Sequence, residues 1–180
     1  DHLWAQGWAG PLRCGNGRNK RAQTGGCGAA LASGYLHSKK RDHRPGRLWP
    51  VMCDQAECGA TVWREPDQGI WEARGEPRHY VSSKLMCWVA MDRAARLAER
   101  RGEEDLSGKW QAVAQEIRAD MLEHGVDERG VFRQHYETDA LDAFNLRVPP
   151  LRFLGPEDEP REAPVRAIRR ERRGAGAVTH

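Results

Sequence analysis

The sequence predicts an all-α fold, and three observations carry that reading. Two long segments repeat apolar residues at intervals of three and four, each segment is bounded by residues that start or stop helices, and the stretches around them are short and extended. The first segment runs from Ser82 or Ser83 as "SSKLMCWVAMDRAARLAERRG". Its Leu85, Met86, Trp88, Val89, Ala94 and Leu97 fall mainly on one helical stripe, and Gly102 stands ready as a stop. The second opens at Ser107, a residue type suited to an N-cap, and continues "GKWQAVAQEIRADMLEHG". There Trp110, Val113, Ala114, Ile117, Met121 and Leu122 share a face, and Gly125 closes the element.

Beyond Gly125 the sequence predicts a turn at "ERG", an extended "VFRQHY", and a third helix from Thr138 or Asp139, "TDALDAFNLRV", ended by Pro149 and Pro150. An acidic loop, "GPEDEPRE", then leads to a short charged helix, "APVRAIRRERR", with Pro164 in its first turn. The tail over 173–180 has no core-forming pattern. Two or three amphipathic helices bury one another's faces incompletely, so further covering elements are expected.

Residues 1–60 read differently. They are rich in Gly, Arg and Lys, and no apolar set recurs over a useful length, so this segment is expected to be disordered or non-native rather than a domain. Pattern sets in abruptly past Gly59 or Ala60, which suggests a change of reading frame. The chain begins at Asp rather than Met, and the expectation is a fragment.

Composition excludes several classes. The 180 residues carry 29 basic and 26 acidic side chains, a net +3 too small and too dispersed to imply nucleic-acid binding. Mean hydropathy is −0.80, and no apolar run approaches the roughly 20 residues of a membrane span. Five cysteines, Cys14, Cys27, Cys53, Cys58 and Cys87, read as thiols of a reducing cytoplasm rather than a disulfide framework. Cys53 and Cys58 with His37 and His43 lack the tight pair spacing of a zinc site, so no metal is expected. The competing class is a non-enzymatic helical interaction module with a basic N-terminal arm.

The chemistry concentrates at "DQGIWEARGEPRHYVSSK". A carboxylate beside an indole loses water, which disfavours its charged form and raises its pKa, the property a general acid needs. Unaided, Trp71-Glu72 is also compatible with a surface Glu beside a packed Trp.

The motif is longer than two letters. Trp63, Asp67, Gly69, Ile70, Trp71, Glu72, Arg74, Gly75, Pro77, Arg78, His79, Ser83, Lys84, Cys87, Trp88, Val89, Ala90, Asp92, Arg93 and Ala94 follow a pattern W-x-x-x-D-x-G-I-W-E-x-R-G-x-P-R-H-x-x-x-S-K, then C-W-V-A-x-D-R-A. This resembles the catalytic-acid region of glycoside hydrolase family 15, the bacterial glucoamylase and trehalase-like enzymes. The likeness is dense over residues 63–143 and continues more loosely to Glu171.

The resemblance implies an (α/α)6 toroid, of which this chain supplies a part, and inverting hydrolysis of α-glucosidic bonds with no cofactor. It implies domains divided as 1–60 unmatched, 61–172 the family's helical domain, and 173–180 a tail. Glu72 would be the general acid, and Trp71 the wall against the glucosyl ring. Arg74, His79 and Lys84 would shape the site or touch the sugar, while Asp92, Arg93, Cys87 and Trp88 would be structural. Gln134 and His135 would sit near the pocket rim, as satisfied loop polar groups in preference to ligands. The substrate would be an α-glucan end or trehalose. Inversion also needs a second carboxylate as base, which the family places beyond the point matching Glu171. The chain alone is therefore expected to show little or no hydrolase activity.

Overall fold

The computed structural model describes Ala32, Tyr35, residues 49–70 and 73–142, and Phe153. Three helices lie in these residues: α1, Trp49–Val62; α2, Val81–Arg101; and α3, Glu104–His124. The all-α expectation holds, with extended backbone among the described residues confined to isolated bridges.

Helix α2 is the centre. It packs along α3 and against α1, and it buries residues on nearly every side: Val81, Leu85, Cys87, Val89, Ala90, Met91, Ala94 and Ala98 among them. Its alanines let neighbours approach closely, and Trp88 packs edge-on against Phe153 at 4.9 Å. The apolar faces are better covered than the sequence implies, since Val51 and Leu122 are the large apolar side chains left exposed among the described residues.

Gly102 ends α2 at φ 75°, in the left-handed region. Its N–H donates to the Glu99 carbonyl and that of Glu103 to the Ala98 carbonyl, the paired pattern that closes a helix terminus. Helix α3 starts at Glu104, ahead of the expected Ser107. Glu104 and Asp105 place negative charge in its first turn, which the helix dipole favours. The preceding Glu103 carboxylate does not cap; it accepts from Trp49 Nε1 at 3.2 Å and Arg101 Nε at 2.9 Å.

Helix α1 corrects the expectation for residues 49–60. They are helical and packed, and the boundary drawn at residue 60 falls inside the element. Trp49, Met52, Ala56 and Gly59 form its buried stripe at helical spacing. Gly59 lets α2 close in: a Cβ there would meet Met91 Cε at 3.3 Å. Two small residues and an N-terminal Trp-Pro hid this periodicity. The thiol reading also needs correction, because Cys58 is disulfide-bonded whereas Cys53 and Cys87 are thiols.

The turn at Gly130 (φ 78°) and the extended segment after it form as expected, with Val126 bridged to Phe132 and Tyr80 to His135. The helix expected from Thr138 does not begin there, since residues 138–142 are irregular. Thr138 Oγ1 accepts from Ala140 N at 3.2 Å, and Gln134 N donates to Ala140 O at 2.7 Å, so the threonine closes a turn instead. The rest of that helix, the charged helix and the tail lie outside the described residues.

Candidate active site

The loop from residue 63 to residue 80 joins α1 to α2 and carries the motif. Asp67 and Arg78 exchange both backbone hydrogen bonds, at 2.9 and 2.8 Å, which makes a narrow neck. Beyond the neck, Ala73 N donates to Gln68 O at 2.9 Å, so the chain closes on itself across residues 68–73. Gln68 Nε2 reaches the Gly75 carbonyl at 3.2 Å. Trp71 and Glu72 lie outside the described residues, within that closed span of sequence.

Asp67 and Gly69 set the near side of the loop. The buried Asp67 carboxylate accepts from Gly69 N at 2.9 Å. Gly69 has φ +67°, and a Cβ there would lie 2.9 Å from Tyr80 Cγ. Both the conformation and the space call for glycine. Gly69→Ala should cost about 1–2 kcal/mol from the backbone alone, with the ring contact added. Denaturant unfolding checks this; a loss below about 0.5 kcal/mol would show that the loop relaxes freely.

The structure brings His79 and Lys84 together and leaves Arg74 apart, exposed on the loop. A cleft of about 360 Å³ is lined by His79 and Lys84 with Trp63, Arg64, Asp120, His124 and Tyr136. Tyr136 stacks between His79 and His124, with ring centroids 5.6 Å away on each side. Its hydroxyl donates to Asp120 Oδ2, and burial, aided by that acceptor, pushes the phenol pKa well up. Trp63 Nε1 and His79 Nδ1 are buried at this cleft with no partner among the described residues. Asp120 and His124, four apart on α3, share a face legible in the sequence; Tyr136 comes from a distant segment that no spacing connects to them.

Other expected roles fall as follows. Arg78 pairs with Glu137, and Asp92 pairs with Arg93 and Arg96, so these are structural ion pairs. Cys87 and Trp88 are core. Gln134 is a satisfied main-chain partner, its carbonyl accepting from Val81 N at 3.1 Å, and His135 packs edge-on against Tyr80.

Burial holds the pKa of His79 below the ordinary 6.5, with the nearby Lys84 acting in the same direction. Burial does the same to His135, helped by Arg78. A histidine whose folded pKa is depressed contributes stability above its unfolded pKa and loses it as pH falls through the folded value. The denaturant midpoint should therefore drop between about pH 7.5 and about pH 5.5, ahead of carboxylate titration. The drop should shrink in His79→Gln and His135→Gln; a drop of unchanged size would remove the assignment.

Residues 1–172 match the family model of the Glycosyl hydrolases family 15. The chain belongs to glycosyl hydrolases family 15. The match takes in the segment before residue 61 that was expected to stand outside it. A trehalase of Mycobacterium tuberculosis is 54% identical over 87% of this chain, and one of Mycolicibacterium smegmatis 50% identical over 93%. Trehalase 2 of Sulfolobus acidocaldarius is 34% identical over 82%. The family 15 chain spans 23%, 25% and 26% of these relatives, about a quarter of their length. No solved structure matches it.

Proposed function

We propose that this family 15 chain contributes the general-acid segment of an inverting α-glucosidase that acts on trehalose. The observation that carries the reading is the identity of 54% and 50% to proteins named trehalase, over alignments that cover nearly all of this chain. Trehalose is preferred to α-glucan ends on that ground. In this reading Glu72 gives its proton to the glycosidic oxygen, and Trp71 forms a wall of the glucosyl site. The exposed Arg74 and the cleft-lining His79 shape the approach to it. The neck at Asp67 and Arg78 and the Gln68–Ala73 closure support the reading, because a general acid must be held within hydrogen-bond reach of one oxygen.

The test is a chimera in which residues 61–142 of this chain replace their counterpart in the M. smegmatis trehalase, which supplies the remaining segments. The chimera should release glucose from trehalose faster than from maltose. A folded chimera that cleaves neither sugar would overturn the reading. The 180-residue chain alone should release none, because the base expected beyond residue 171 has no counterpart in "RRERRGAGAVTH". A cytoplasmic location rests on Cys53 and Cys87 as thiols and is opposed by the Cys58 disulfide, and thiol counting on protein alkylated inside the cell decides between them. No described helix is long and apolar enough to cross a membrane.

A further inference from the structure

Lys84 is the one basic side chain fully buried among the described residues, at 2% exposure. Two features of its position oppose a charge. Burial strips its water, and the first turn of α2 is the positive end of that helix's dipole. The ammonium is held against both by main-chain oxygens from another element. It donates to the carbonyls of Trp63 and, at 3.1 Å, Glu65. Trp63 directly follows Val62, the last residue of α1, and Glu65 lies two residues further on, so both carbonyls sit at the exit of that helix, the end whose dipole favours a cation. Lys84 thus joins the exit of α1 to the entrance of α2 across 21 positions in sequence.

Between those anchors lies the loop of residues 66–79. Three ties follow in order: the Lys84 ammonium at the stem, the Asp67–Arg78 pair at the neck, and the Ala73–Gln68 hydrogen bond nearest residues 71 and 72. We infer that Lys84 is a positioning residue, which fixes the stem of the acid loop through the Trp63 and Glu65 carbonyls rather than binding sugar. This rests on the reading of Glu72 as the acid. It replaces the sugar-contacting role expected for Lys84, because at least two of its three N–H donors are committed to the main chain.

Hydrogen exchange on the 180-residue chain tests the inference without any need for activity. In Lys84→Met, which keeps the buried stem and removes the charge, the amides of Asp67, Ala73 and Arg78 should exchange about 10-fold faster or more. Amides in the middle of α3 should be unchanged. Unchanged exchange at the three loop amides would overturn the inference. So would loss of protection throughout α3, which would make Lys84 a general stabiliser.

In the chimera the same substitution should lower kcat on trehalose about 10²-fold, with KM within about twofold. Glu72→Gln/Lys84→Met should be no slower than Glu72→Gln alone, because a misplaced acid and an absent acid lose the same step. A raised KM with unchanged kcat would mean sugar contact, and additive losses would mean an independent role; either result sinks the inference. If Glu72→Gln leaves trehalose hydrolysis intact, the functional reading fails, while the exchange experiment still decides what Lys84 holds.

Discussion

Glu72→Gln in the chimera should lower trehalose hydrolysis by about 10²–10⁴-fold, the range set by losing a positioned proton donor. The glucose leaving from trehalose departs as a sugar hydroxyl, so the bond breaks only as its oxygen gains a proton. A glutamine amide matches the carboxyl group in shape and hydrogen-bonds the same oxygen, but it has no proton to give. Binding should survive, so the loss belongs in kcat.

The leaving group supplies an internal control. α-Glucosyl fluoride releases fluoride, which needs little protonation, and Glu72→Gln should cost far less on this substrate. The alkaline limb of the pH–rate profile on trehalose reports ionisation of the acid and should vanish with Glu72. Equal losses on both substrates would assign Glu72 a structural role. Glucose release undiminished in Glu72→Gln would end the proposal.

What the sequence discloses depends on whether a feature is local. The stripe of α3 is legible because Trp110, Ala114, Ile117 and Met121 recur at helical spacing and all are buried. Helix α1 is not, although its Trp49, Met52, Ala56 and Gly59 obey the same spacing; half of that stripe consists of residues too small to register as apolar. Thr138 reads equally well as a helix start or as the acceptor in a turn, and only the carbonyl of Ala140 meeting Gln134 N decides for the turn. For the candidate site, the residue types in "GIWEARG" are legible as a motif. The partners of Lys84 are not, because main-chain carbonyls leave no mark in a sequence. Asp120, His124 and Tyr136 reach the same cleft only through the packing of α3 and the segment after it on α2.

Trp110→Ala should destabilise the chain by about 3–5 kcal/mol, against a total that is about 5–15 kcal/mol for ordinary domains. Trp110 has no exposed surface. Its ring packs edge-on against Trp49 at 5.9 Å, and its Nε1 donates to Glu57 Oε1 at 3.0 Å. A single side chain of α3 thus grips two turns of α1, the element that the sequence pattern does not reveal. Truncation would leave a void between the helices and strip one donor from Glu57, which Lys109 would still hold at 2.7 Å. Trp110→Phe separates the two contributions: it fills most of the void and loses only the N–H, for about 1 kcal/mol. The Lys109 hydrogen bond is the main cause that holds the Glu57 pKa below its ordinary 4.5, and the Trp110 hydrogen bond adds to it against the effect of burial. In Trp110→Phe the Glu57 carboxyl should therefore titrate higher, and the stability it contributes above pH 4.5, lost as pH falls through the folded value, should be smaller. Denaturant unfolding of both variants measures the first effect, and carboxyl titration by NMR the second. A loss below about 2 kcal/mol in Trp110→Ala would mean that α1 repacks without this anchor, and that the contact between α1 and α3 is incidental to the fold.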